Sequence, residues 1–113
     1  MTFQHKNAAS GRWFEFSMIE QLANVGSEVH RAINWKNREN QDYSRQAFER
    51  ALELFDLTLA DPKNRLRLRE VARAREALVD YFAGDNIYGS TDESWEKYFY
   101  SFNYAARVSR GRI

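Results

Sequence analysis

The residues of this chain that could hold a metal or relay a proton are few and far apart. Histidine occurs twice, at His5 and His30, and cysteine does not occur. Disulfides and thiolate metal sites are therefore excluded. Carboxylates are plentiful, and Glu49, Glu53 and Asp56 recur at helical spacing. A di-iron carboxylate bundle requires Glu three residues before His. Thr2 and Ser27 stand at those positions instead. Neither a Gly-x-x-x-x-Gly-Lys phosphate loop nor a Gly-x-Gly-x-x-Gly turn is present, and no Ser, His and Asp grouping is visible. No catalytic residue, metal ligand or cofactor is assigned.

Three other patterns carry signal. Lys63, Arg65, Arg67, Arg69, Arg73 and Arg75 fall within thirteen residues. Basic side chains at a helix start oppose the helix dipole, so this run is not optimised for helix stability alone. Arg75 stands apart from the others. At 100° per residue it falls among Leu68, Val71 and Phe82, which predicts a buried guanidinium that needs a carboxylate. Glu20, Glu28, Asp56 and Asp80 are the candidates. Such an arginine fixes helix register or lines an internal anion pocket. The third pattern is aromatic. Trp95, Tyr98, Phe99 and Phe102 share one helical face, and Tyr100 and Tyr104 lie on another. One aromatic face suffices for a core. The second has the composition of an interface, or else covers the Trp13–Phe16 segment of the same chain. Trp35 has the same ambiguity. His30, at the edge of an apolar stripe, fits a hydrogen-bonded boundary residue better than a catalytic base.

Four helices are needed to position these groups. Ser17 and Glu20 have capping-box spacing. Ile19, Leu22, Gly26, Val29 and Ile33 then follow at steps of three and four, defining a first helix that frays near Asn37. Gly26 lies in that stripe, where it either permits close helix approach or is merely tolerated. A second helix begins at Asn40 to Asp42 and runs to Ala60, with Ala47, Phe48, Ala51, Phe55, Thr58 and Leu59 inward. Asp61-Pro62 reads as an N-cap followed by proline at the first position of a third helix, Pro62 to Ala83. Gly84 ends it. After a polar loop, Thr91 or Asp92 caps a fourth helix that runs to Val108. Trp13, Phe14 and Phe16 are too apolar for a free tail. The expected fold is all-α, one domain over residues 1–113. It is an up-and-down antiparallel four-helix bundle with the aromatic N-terminal segment packed on it.

That topology would bring Lys63, Arg65, Arg67, Arg110 and Arg112 to one pole. Free amides near Lys63 and Asn64 would add an anion site. Seventeen basic and sixteen acidic residues give a net charge of +1, so near-neutrality could conceal a dipolar molecule. Two helical families test the remaining chemistry. HEPN-type ribonucleases carry Arg, four to six residues, then His, and neither histidine here has that arginine; the resemblance stops at helix count. Glu53-x-x-Asp56 resembles half of the magnesium-binding pattern of the all-α pyrophosphohydrolases, but these carboxylates face away from the apolar stripe. A nucleotide hydrolase is accordingly the weakest reading.

No apolar run reaches the roughly 18–20 residues of a membrane span. Met1 to Ser10 lacks the apolar stretch of a signal peptide, so a cytoplasmic location is expected. The leading functional expectation is a non-enzymatic helical interaction or adaptor module. It would act as a homodimer or within a small complex, with Tyr100 and Tyr104 at the interface. The alternative is a nucleic-acid- or phosphate-binding accessory protein using the basic pole.

Overall fold

The first helix begins where the sequence marks it. The Glu20 amide donates to Ser17 Oγ and the Ser17 amide to Glu20 Oε1, both at 3.1 Å, completing the capping box. This computed structural model describes residues 11–111, with side chains as far as Ser109. Its helices are α1 (Met18–Asn37), α2 (Gln41–Ala60), α3 (Leu68–Ala83) and α4 (Asp92–Gly111). Single 3-10 turns occupy Arg12–Glu15 and Pro62–Arg67. There is no strand among the described residues, and the helices form an all-α bundle.

Contacts between elements fix the direction of each helix. Ser44 Oγ donates to the Ala32 carbonyl and Arg50 Nε to Glu28, which folds α2 back along α1. Phe48 stacks on Phe82 while Arg75 meets Asp56, so α3 runs antiparallel to α2. His30 meets Glu96, and Lys36 meets Asp92, so α4 runs antiparallel to α1. The bundle is up-and-down and antiparallel.

Leu22, Val25, Val29 and Ile33 of α1 form the centre of the core. Ala51, Leu54 and Phe55 reach it from α2, Val71 and Leu78 from α3, and Trp95 and Phe99 from α4. Trp13 joins them and is 4% exposed. Gln21 Nε2 donates to its carbonyl, and Lys63 Nζ donates to that of Phe14. The aromatic segment is therefore pinned across the end where α1 starts and α2 finishes.

The third helix departs from expectation. Residues 62–67 form a 3-10 turn and the α-helix starts only at Leu68. The reason lies in Asn64, which is 2% exposed. Its amide side chain donates to the Thr58 carbonyl and to Gln21 Oε1. Turning the chain tightly enough to bury Asn64 displaces the regular α-helix. Lys63, Arg65 and Arg67 thus precede the α-helix and do not occupy its first turn.

Arg75 also departs from expectation. It is not a buried charge; its side chain is one third exposed and meets Asp56, itself mostly exposed, at 2.8 Å. A long side chain on the flank of a stripe carries its head to water while its stem stays on the apolar surface. The buried charge at this level is Glu28, whose side chain is 8% exposed and accepts from Arg31 and Arg50.

Gly26 sits under Phe99. A Cβ at this position would lie 2.7 Å from Phe99 Cβ and 2.9 Å from Cγ. The missing side chain is what lets α1 and α4 approach here. Alanine would recover about 1 kcal/mol of helix propensity but must push α4 outward, at about 1–3 kcal/mol for overpacking. Gly26→Ala is expected to lower the urea midpoint, and Gly26→Val to lower it further. Equal or greater stability for Gly26→Ala would show that the approach is not constrained.

Candidate interaction site

Two polar clusters have the density of a site, and both serve structure. At the pole where α1 begins, Asp61 is 4% exposed. It accepts from Gln21 Nε2 at 2.8 Å, from the Lys63 amide at 3.1 Å, and from Lys63 Nζ. The amides expected to be open to an anion are occupied: that of Lys63 by Asp61 Oδ1, and that of Asn64 by the Asp61 carbonyl. At the other pole, Lys36 Nζ donates to Asp92 at 2.6 Å and to Tyr81 at 2.9 Å, and Tyr81 donates to Asp92. This clasp joins α1, α3 and the first residue of α4.

Of the predicted basic pole, Lys63 is bound to Asp61, Arg67 pairs with Glu70 at 3.2 Å, and Arg65 is exposed. Arg112 and the side chain of Arg110 lie outside the described residues. His30 is bonded on both ring nitrogens, to Glu96 at 2.9 Å and to Asn34 at 3.1 Å, as a boundary residue would be. Glu49 and Asp56 pair with Arg45 and Arg75. Among the described residues no group of three metal-ligating side chains converges.

What remains unspent belongs to α4. Trp95 and Phe99 stack at 5.9 Å, and Tyr98 meets both edge-on. These rings face the core. On the flank beside α1, Tyr100 and Tyr104 are 59% and 55% exposed and stack on one another at 6.3 Å. They do not cover the Trp13–Phe16 segment, in which the Trp13 and Phe16 rings pack on each other and on the core while Phe14 is exposed. Val108, one turn further, is also exposed. Trp35, in contrast, is covered within the chain by Tyr43 at 4.9 Å and by the Arg38 guanidinium.

The opposite flank of α4 forms a groove with α3. The two helices make little backbone contact, whereas α1 packs closely on α2 and α4, and α2 on α3. Between α3 and α4 lies an open, largely apolar groove of about 580 Å³. Ala74 and Ala77 form its α3 wall, and Ser94, Trp95 and Tyr98 its α4 wall. Arg67, Arg69 and Arg73 rim it on the α3 side, with Glu70. The Trp95 indole N–H is buried without an acceptor among the described residues. Burial, then the Glu70 charge, raises the Tyr98 phenol above its ordinary value of 10.0.

The tyrosine flank was legible in the sequence and the groove was not. Arg69 and Arg73 were visible in the basic run. What would have found them is their four-residue spacing beside the small residues Ala74 and Ala77. Comparison with protein-family models, with curated proteins and with solved structures finds no match to this chain.

The ion pairs predict two unequal mutations. Arg75→Ala removes an exposed pair and should cost under about 1 kcal/mol. Arg50→Ala takes one of two partners from the buried Glu28 carboxylate and should cost about 2–3 kcal/mol, less than full loss of a buried pair. Equal costs in urea unfolding would contradict this assignment.

Stability should also fall in acid. Burial pushes the Asp61 carboxyl up, but its hydrogen bonds from Lys63 and Gln21 and the Lys63 charge outweigh that and hold it below 3.8. Burial acts likewise on Asp92, and bonds from Lys36, Tyr81 and Asn37 again bring it below 3.8. A depressed carboxyl contributes stability that is present above the unfolded value and lost as pH falls through the folded one. The urea midpoint should be flat between about pH 7 and 5 and drop below about pH 4. Asp92→Asn should be less stable at pH 7 and show a shallower acid drop.

Proposed function

We propose that this chain is a non-enzymatic helical interaction module that self-associates through the tyrosine flank of α4. The observation that supports this reading is the exposed ladder of Tyr100, Tyr104 and Val108, left over after one aromatic face has already filled the core. Tyrosines offer large apolar bodies with polar tips at small entropic cost, the composition favoured at interface centres.

A two-fold pairing suits the ladder. If two copies of α4 cross antiparallel at the level of Phe102, Tyr100 of each faces Tyr104 of the other. Glu96 then comes across from Arg107, and both are exposed. Such a contact is self-complementary and closes without leaving a free end. At the pole invoked by the phosphate-binding alternative, Lys63 and Arg67 are engaged by Asp61 and Glu70 and the Lys63 and Asn64 amides are already bonded, while Arg65 is exposed.

Sedimentation equilibrium of the full chain tests the proposal. A dimer is expected in the micromolar range, and Tyr100→Ser with Tyr104→Ser should weaken it at least tenfold while leaving the helical circular dichroism unchanged. Glu96→Arg should weaken it too, and adding Arg107→Glu should restore it. A wild-type monomer at all concentrations, or a dimer indifferent to these changes, would overturn the reading.

A further inference from the structure

A four-helix bundle ordinarily closes on four helix–helix contacts. Among the described residues, three pairs pack closely here, α1 with α2, α1 with α4 and α2 with α3. The fourth, between α3 and α4, is the groove. We infer that this groove is a docking site for an acidic amphipathic helix of a partner protein, separate from the tyrosine flank and independent of self-association.

Shape supports a helix as occupant. The walls run antiparallel and are lined by small side chains, partly exposed Ala77 beside buried Ala74 on one side, and Ser94 with Ser90 just before α4 on the other. Small residues let a further helix approach to a normal packing distance of about 8–10 Å. From Arg69 to Ala77 the α3 wall rises about 12 Å. That length accommodates two to three turns, hence apolar anchors at i, i+3, i+4 and i+7. Trp95 and Tyr98 supply aromatic surface for the anchors.

Charge selects which helix. The α3 rim carries Arg67, Arg69 and Arg73 against Glu70 alone, and the α4 wall carries no charged residue. Arg67 is spent on Glu70, but Arg69 and Arg73 hold no ion pair among the described residues. They stand four apart, on one side of α3, where they would meet carboxylates flanking an apolar stripe. The chain's own ends do not match this demand. Met1–Ser10 contains Lys6 and no acid, and the C-terminus contains Arg110 and Arg112. An acidic partner helix is therefore favoured over either terminal segment.

The test uses the full ¹⁵N-labelled chain and three synthetic 18-residue peptides. One carries leucine at i, i+3, i+4 and i+7 flanked by glutamate. The second has lysine for glutamate, and the third is the glutamate peptide scrambled. The expected result is that only the first shifts the amides of Ala74, Ala77, Ser94 and Tyr98, and becomes helical on binding. Arg69→Glu with Arg73→Glu should weaken it at least tenfold and favour the lysine peptide. Ala77→Arg, at a half-exposed position, should block it. Tyr100→Ser with Tyr104→Ser should leave it intact, so failure of the self-association proposal and failure of this one are distinguishable. Equal binding of all three peptides, or shifts confined to the tyrosine flank, would overturn the inference. So would self-association that Ala77→Arg abolishes, which would make a second copy the occupant.

Discussion

The contact between Gly26 and Phe99 sets the shape of the whole bundle. Without a side chain on α1 at that point, the Phe99 ring settles against the α1 backbone and brings Trp95 down beside it. α1 thereby packs against α2 on one side and α4 on the other. With α4 drawn toward α1, the close packing of α3 is against α2. The open α3–α4 groove is thus the geometric consequence of a close approach elsewhere, and the Lys36–Tyr81–Asp92 clasp limits how far α3 and α4 can part.

Much of this was written in local sequence. The Ser17–Glu20 box, the Asp61-Pro62 corner, the Gly84 end and the Thr91 start each depend on a few neighbouring residues, and each is where the spacing placed it. The antiparallel order followed from short connections. What failed required knowledge of a partner element. Asn64 falls in the first turn of the helix that Asp61-Pro62 marks, where its amide would be open to an anion. Only with Gln21 and the Thr58 carbonyl in place is there a reason to bury it. Arg75 was placed by angle on an ideal helix, and angle does not say where a long flexible stem puts its charge. Glu28 was one of several carboxylates until Arg31 and Arg50 converged on it.

The interaction surfaces divide along the same line. A ladder at 100, 104 and 108 is a property of one helix, so its exposure could be anticipated from counting faces. A groove is a property of the angle between two helices. The apolar stripe of α3 reads identically whether α4 covers all of it or only its inner edge. The single local hint was the pairing of small residues with unpaired arginines, and that composition also describes an ordinary solvated flank.

Trp95 shows what that arrangement costs. Its ring stacks on Phe99 and lies in the core, while its indole N–H finds no acceptor among the described residues. An unsatisfied buried donor costs about 1–3 kcal/mol. Full burial of a large aromatic contributes a comparable or larger amount. The ring therefore stays, and its donor, like that of Trp13, is an exception that buried polar groups rarely show. In a bundle closed on all sides, phenylalanine at this position would gain the same packing without the penalty. Trp95 also lines the α3–α4 groove, so its ring is held by Phe99 on the core side while Arg69, Arg73, Ala74 and Ala77 border it on the other.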